Sequence, residues 1–433
     1  MHSLCSRTQP GLKTLIKNDQ DQSDYWSLFT LHYLNQIKHK GGGIMQRQTT
    51  ITENSMIWCG AGISIAEILT GTYLAPLGFT KGIAIIIIGH LIGCFLLFLA
   101  GIIGGQQRLS SMNAAKISFG QNGSKFFALL NVLQLIGWTG IMIYDGALVA
   151  NGVWHLNQAL WVILIGALII CWLLVGVRHL YYLNLATIST LLILSGLLCA
   201  AIFTHHSADS PTGTLSWAQG MELVIAMPLS WLPLISDYTS VAQRPVPTNG
   251  VSAVVYGLTS CWMAFIGLGA ALLTHNINIA TIILRAGLGI AGLFIIIFST
   301  ITTTFMDAYS AGVSSKTIFS KWSGTMAAIG ATILGTISAL ICPMDNFSNF
   351  LYLIGSVFAP MIAIQITDYF ILEVDYRQQN CQWTNLILWL IGFIIYRILL
   401  NYSFLLGSTV TTIIVIIAMT WGTCRVMKLV KAK

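Results

Sequence analysis

The chain has 433 residues, a formal net charge of +7, 55% hydrophobic residues and only 8% charged ones, with a mean hydropathy of +0.77. Soluble globular chains carry about 25% charged residues, so a soluble enzyme of this length is excluded. The 21 Lys and Arg form no dense patch, which excludes a nucleic-acid binder, and the apolar residues run in long unbroken stretches rather than in alternation, which excludes an outer-membrane barrel.

The first fifty residues are polar and unpatterned. Within them, Lys40-Gly41-Gly42-Gly43-Ile44-Met45 is encodable by a purine-rich ribosome-binding sequence placed before an ATG. Met45 is therefore expected to be the true start, with residues 1–44 a translated leader. No basic region followed by a short apolar core precedes a small-residue cleavage site, so no cleavable signal peptide is expected.

A helix needs about 20 apolar residues to cross the hydrocarbon core. That rule predicts twelve transmembrane segments near 56–78, 82–105, 125–150, 159–177, 183–204, 218–238, 250–274, 287–311, 323–342, 347–372, 385–402 and 407–427. With the N-terminus inside, the inner loops and tail beyond the leader hold twelve cations, among them Arg108, Arg178, Lys316 and Arg377. The outer side holds only Lys81, Arg285 and Arg397. The positive-inside rule expects this bias for a multi-pass protein of the inner (plasma) membrane with both termini cytoplasmic.

Two segments are interrupted. Segment 1 carries Gly60, Gly62 and Gly71 around Glu67, and segment 6 carries Pro228 and Pro233 around Trp231. Two prolines five residues apart free backbone groups that a bilayer cannot satisfy. Interruptions at matching places in two halves point to a transporter binding site. The expected architecture is all-α: a five-plus-five inverted repeat like that of LeuT, with segments 1–5 over residues 51–204 and segments 6–10 over 205–372. Residues 373–433 add two further helices and a basic tail.

Carboxylates in a bilayer are costly and point to function. Glu67 lies midway along segment 1 and Asp307 in segment 8. Asp145 lies toward the outer end of segment 3. Asp237 and Asp368 close segments 6 and 10 and read as helix-capping or Arg-pairing groups. Ser299, Thr302 and Thr303 share one face of segment 8 by their three- and four-residue offsets. Hydroxyls and carbonyls on that face, opposite the break of segment 1, suit a hard monovalent cation; hydroxyls of this kind also bond harmlessly to their own helix. Trp138 sits mid-membrane beside Gly137 and Gly140 and offers a flat stacking face, as does Trp231. The nine cysteines stand singly, without a CxxC pair, and read as small buried hydrophobes rather than metal ligands or disulfides.

Over about residues 55–430 the chain resembles the nucleobase–cation symporters, the family of cytosine, purine, allantoin and hydantoin permeases. The motifs that carry the resemblance are Ser118-Phe119-Gly120, Gln134-x-x-Gly137-Trp138, Ser236-Asp237-Tyr238, and Leu353 to Pro360 continued by Ile366-Thr367-Asp368-Tyr369-Phe370. Ile63 to Glu67, Pro228 to Pro233 and Thr302 to Gly312 are most similar to the branch for hydroxymethylpyrimidine, the thiamine precursor. The resemblance implies cation-coupled uptake. It places the cation on the backbone near Ser64 and on Ser299, Thr302 and Thr303. It places base stacking on Trp138 and on the break around Trp231, and an amide contact on Gln134. With Glu67, Ser230, Thr304 and Asp307, these are the expected substrate residues. Where the cytosine permeases have asparagines in segment 8, this chain has Thr304 and Met306, with Asp307 nearby. An aminopyrimidine offers an exocyclic amine donor and two ring-nitrogen acceptors, and a carboxylate such as Glu67 can accept from that amine.

The expected function is secondary import of a pyrimidine, hydroxymethylpyrimidine first, by symport with Na⁺ or H⁺ and alternating access. Cytosine or a purine carried by the same machine is the alternative. A membrane enzyme would need a clustered catalytic set, and the nine histidines are scattered, with His205 and His206 in an outer loop. A channel would not need paired broken helices, and no GxxxxGK[ST] nucleotide signature occurs. No cofactor is expected beyond the coupling ion. The expected partners are a small heterocycle, the cation and lipid, with no nucleic acid, and the oligomeric state is left open.

Overall fold

The computed structural model describes residues 48–175, 214–274, 289–344, 346–402 and 407–431, with a few positions between 189 and 200. The proposed leader, most of the fifth segment and the His205-His206 pair lie outside the described residues. Fourteen α-helices, with a 3₁₀ turn at Ala75–Leu77 and a π-helical turn at Thr367–Leu372, follow one another among the described residues, and none of these residues forms a sheet. Eight of the helices, or nine spans with one bent pair, are long and apolar enough to cross a bilayer. Helices also cover the expected segments 8 and 11, so eleven of the twelve expected segments fall on described helices.

The first span is the bent pair α1 (Ile51–Gly62) and α2 (Ile65–Tyr73). The next three spans are α3 (Phe79–Gln107), α5 (Lys116–Val153) and α6 (Gln158–Val175), with the single-turn α4 (Ser111–Ala114) between α3 and α5. The sixth span is α7 (Trp217–Ser230) and α8 (Ile235–Thr239). It is followed by α9 (Pro245–Thr274), α10 (Gly289–Ile318), α11 (Gly324–Ile341) and α12 (Phe347–Ile366). The appended α13 (Trp383–Leu399) and α14 (Gly407–Lys431) close the chain.

The packing repeats with a period of five spans. The third and eighth spans, α5 and α10, share the largest interface, the second and seventh, α3 and α9, also pair, and so do the fourth and ninth, α6 and α11. Likewise α1 and α2 pack on α9 while α7 packs on α3, the exchange that an inverted repeat requires. The fold is all-α, of the LeuT-like five-plus-five class. Large apolar side chains such as Leu91, Phe95, Leu258 and Ile341 are more than half exposed on the outer faces of these helices, where lipid would cover them.

Two close approaches fix the frame. A Cβ on Gly71 would stand 2.0 Å from the Ala264 carbonyl oxygen, and one on Gly267 would stand 2.0 Å from that of Ile68, so α2 and α9 touch through their backbones. Gly120 of the Ser-Phe-Gly motif is left-handed, with φ 73°. It turns the start of α5 against the loop before α13. There the Gln121 and Asn122 amides donate to the Gln379 and Asn380 carbonyls at 3.0 and 2.8 Å, and the Gln382 amide donates to Phe119. Asn385 bridges the Ser118 carbonyl and the Asp368 carboxyl at 2.8 and 2.7 Å. Two of the motifs that carry the resemblance are thus joined at the end of the bundle that holds Asp237 and Asp368. Asp237 accepts from the amide of Ser111 at the start of α4 at 2.9 Å, a capping contact rather than an arginine pair.

Candidate functional site

The first break follows from local chemistry. Gly60-Ala61-Gly62 ends α1 because glycine is a poor helix former, and Ser64 restarts the chain as an N-cap whose hydroxyl accepts from the Glu67 amide at 3.3 Å. The two halves meet at 46°. The break turns the Ile63 carbonyl out of the helix, and Ser299 of α10 donates to it at 2.9 Å. Glu67 is brought into the first turn of α2, fully buried, with its Oε1 accepting from Tyr256 at 2.7 Å. Its Oε2 has no hydrogen-bond partner among the described residues.

The second break is supported from α5. Pro228 and Pro233 bring no amide hydrogen, and the chain between α7 and α8 closes in tight turns over Trp231 to Leu234. Two side-chain amides take up the carbonyls thus freed. Gln134 donates to the Ser230 carbonyl and Asn131 to that of Pro233, both at 3.2 Å. Asn131 also donates to Ser314 of α10 at 2.8 Å. A broken helix inside a membrane needs protein partners of this kind.

Between the two breaks lies a narrow cavity lined by Ser64, Ala66 and Glu67 of α2, Trp138 and Met142 of α5, Met227, Ser230 and Trp231 of the sixth span, and Thr303 and Asp307 of α10. Its volume is about 10 Å³, roughly one water. A heterocycle would need the surrounding side chains to move apart. Trp138 is held edge-on by Phe347 and Phe350, with ring centres at 5.8 and 5.4 Å, and its indole nitrogen is unpartnered. Trp231 packs edge-on against Trp58 at 5.6 Å. Two carboxyls therefore line one cavity with no Lys or Arg among its lining residues, and their charge calls for a proton, a cation or a donor from a ligand.

Five of the seven expected substrate residues line this cavity: Glu67, Trp138, Ser230, Trp231 and Asp307. Gln134 stands one layer behind, bonded to the Ser230 carbonyl, with its own Oε1 unpartnered. Thr304 is fully buried outside the lining, and its hydroxyl is unpartnered. Of the expected cation ligands, Ser64 and Thr303 line the cavity, and Ser299 lies at the Ile63 carbonyl. Thr302 donates to its own helix, to Phe298 and Ser299, and lines a second cavity. That second cavity, of about 90 Å³, lies on the side of Thr49 and Asp237 and is walled by Trp172, Tyr238, Phe305 and Tyr309.

Several polar residues around the breaks were not singled out from sequence. Tyr256 and Ser260 of α9 and His90 of α3 are buried behind Glu67. Glu222 of α7 is also buried. It accepts from Tyr396 and from the hydroxyl of Thr409, and from the Thr409 amide at 3.0 Å, which ties the sixth span to α13 and α14.

The fold and this site define a membrane carrier built around two broken helices. The family model described as permease for cytosine/purines, uracil, thiamine and allantoin matches residues 44–420, and the chain belongs to that family. It is 23% identical over 340 residues to a vitamin B6 transporter of Saccharomyces cerevisiae, which covers 71% of this chain and 58% of that protein; the chain thus spans little more than half the length of that relative. It is 24% identical over 306 residues to the cytosine permease of Escherichia coli K12, covering 69% of this chain and 72% of the permease. Among solved structures it is similar to the nucleobase-cation-symport-1 transporter Mhp1 in a closed conformation with bromovinylhydantoin bound. That likeness has a TM-score of 0.73 at 18% identity and covers 87% of this chain and 93% of Mhp1. A Na⁺-coupled sialic acid symporter superposes with a TM-score of 0.66 at 14% identity, covering 92% of this chain and 94% of the symporter.

Proposed function

We propose that this chain imports a small aromatic heterocycle by cation symport and alternating access, with hydroxymethylpyrimidine as the substrate. The observation that carries the reading is the Glu67 carboxyl. It is fully buried at the first break, one oxygen is held by Tyr256, and the other is unpartnered beside a cavity flanked by two tryptophans. An aminopyrimidine supplies what that oxygen lacks, an amine hydrogen, on a flat ring that Trp138 and Trp231 can face. The relatives agree with a ring of this size: one is named for vitamin B6, whose hydroxymethyl pyridine ring is close in shape to hydroxymethylpyrimidine, and another for cytosine.

In this reading Glu67, Trp138, Ser230, Trp231 and Asp307 contact the substrate directly. Gln134 and Thr304 act from the next layer, Gln134 by holding the Ser230 carbonyl. This reading puts the coupling cation, Na⁺ or H⁺, at the first break, on the Ile63 and Ser64 backbone with Ser299, Thr302 and Thr303; the Ser299 hydroxyl at the Ile63 carbonyl supports it, and Thr302 also lines the second cavity. The repeats are taken as residues 51–204 and 205–372, in a plasma-membrane protein with both termini inside.

Labelled hydroxymethylpyrimidine uptake into proteoliposomes holding the full chain tests the reading, with and without Na⁺ and at several pH values. Unlabelled hydroxymethylpyrimidine should displace the label, and equal cytosine should not. Displacement by cytosine alone would transfer the reading to a cytosine permease.

A further inference from the structure

The second cavity, on the side of Thr49 and Asp237, has a volume of about 90 Å³ against about 10 Å³ for the first. Helix α10 stands between them. Its residues Thr303 and Asp307 line the first cavity, while Thr302, Phe305, Met306 and Tyr309 line the second, each set recurring at three- or four-residue offsets. On either side of the break in the first span, Ser64 lines the first cavity and Gly60 the second. The two cavities are consecutive along one break.

The wall of the second cavity combines two chemistries. Tyr238, Phe305, Tyr309 and Trp172 supply aromatic rings. Phe305 and Tyr309 stack with ring centres 6.2 Å apart, and Tyr309 meets Tyr238 at 5.8 Å. A cavity of about 150 Å³ holds benzene, so modest shifts of the half-buried Phe305 and Tyr309 admit a six-membered ring.

The polar groups on the same wall have their hydrogens already spent. The Asn54 amide donates to the Thr49 hydroxyl at 2.7 Å and to the Thr50 carbonyl at 3.1 Å. A carbonyl only accepts, which fixes the orientation of the amide and leaves Asn54 Oδ1 as a fully buried acceptor without a partner. Asp237 accepts from the Ser111 amide through Oδ1, and its Oδ2 makes no hydrogen bond; the nearby Ser310 hydroxyl makes none either. The Tyr238 hydroxyl donates to the Met306 carbonyl at 3.4 Å, and the Thr302 hydroxyl donates to its own helix. Four lining groups therefore offer lone pairs, and no Lys or Arg stands among the lining residues to answer them.

We propose that the second cavity is a second binding site for the transported ring, between the first cavity and the end of the bundle that holds Thr49 and Asp237, resting on the carrier reading above. Tyr238, Phe305 and Tyr309 face the ring, and Asn54 and Asp237 accept from its amine or ring N–H groups. The ligand class is a flat six-membered heterocycle that carries N–H donors. A ring with acceptors alone finds no match on this wall.

Saturation binding to the purified full chain tests this, with labelled hydroxymethylpyrimidine and, separately, labelled cytosine. The wild type should bind two rings per chain. Combining Glu67→Gln with Trp138→Ala disables the first site, and one ring per chain should remain. In that background Tyr309→Leu or Phe305→Leu should weaken the remaining site roughly tenfold, as expected for one lost stacking face, while Tyr309→Phe should bind as before. Unlabelled 2-methylpyrimidine, a ring of this kind without N–H groups, should not displace the label. One ring per chain in the wild type, residual binding that Tyr309→Leu leaves at full strength, or displacement by 2-methylpyrimidine overturns the proposal. If cytosine fills both sites and hydroxymethylpyrimidine neither, the substrate reading fails while the second site stands. If a single hydroxymethylpyrimidine binds and is lost in Glu67→Gln, the substrate reading stands and the second site falls.

Discussion

Glu67 and Glu222 are both carboxylates buried within helices that break or flank the break, yet their surroundings differ in kind. Glu222 has both oxygens engaged, by Tyr396 and by the hydroxyl and amide of Thr409 at the start of α14. Glu67 has one oxygen engaged by Tyr256, and the other is unpartnered on the wall of a cavity. Burial of an acid at membrane depth is thus a weak sign of function taken alone. What separates a strut from a site is whether its hydrogen-bonding capacity is used up within the protein.

Removing each acid should break the comparison in different ways. Glu222→Ala leaves the Tyr396 hydroxyl and two Thr409 groups without their acceptor. It should cost on the order of 3 to 5 kcal/mol of stability, read as a large fall in thermal unfolding midpoint or loss of a purifiable protein. Full stability in that variant would remove the distinction. Trp138→Ala tests the cavity wall. Stacking of a heterocycle on an aromatic ring is worth about 1 to 3 kcal/mol, so the apparent KM for uptake should rise roughly tenfold, with Trp138→Phe affected less. An unchanged KM would place the ring elsewhere.

The smallest effect is expected at the surface pair Asp375 and Arg377, in the loop before α13. Here the hydrogen bond from Arg377 holds the Asp375 carboxyl below the usual carboxylate range. A lowered value means the pair contributes above the ordinary carboxylate range and loses its contribution as pH falls through the lowered value. Both side chains are more than a third exposed, so solvent screens the pair, and Asp375→Asn should change stability by less than about 1 kcal/mol. Unfolding midpoints measured at acid and neutral pH check this.

The breaks were legible because glycine and proline leave a mark on the sequence that no packing erases. Gly60 and Gly62 end α1, and Pro228 and Pro233 force the turn before α8, where both were expected. Glu67 was legible as an acid in an apolar run. Glu222 sits in a run of the same kind, and its partners Tyr396 and Thr409 lie more than 170 residues away, so its engagement could be seen only once the chain was folded. His90, Tyr256 and Ser260 look like ordinary helix residues, and they matter only because α3 and α9 bring them behind Glu67. Gln134 illustrates a different gap. The motif marked the position, whereas the contact it makes, to a carbonyl released by Pro233 and its neighbours, depends on the shape of the break. Thr302 shares the face of Ser299 by spacing, yet it opens on the second cavity because α10 passes between the two.

The central claim is that the free oxygen of Glu67 recognises the amine edge of a pyrimidine. Equilibrium binding of labelled hydroxymethylpyrimidine to the purified full chain, wild type against Glu67→Gln, tests it most directly. A hydrogen bond to a charged acceptor is worth about 1.5 to 3 kcal/mol, so the variant should bind at least tenfold more weakly while its unfolding midpoint stays close to that of the wild type. Binding of equal strength in a variant of equal stability would contradict the claim.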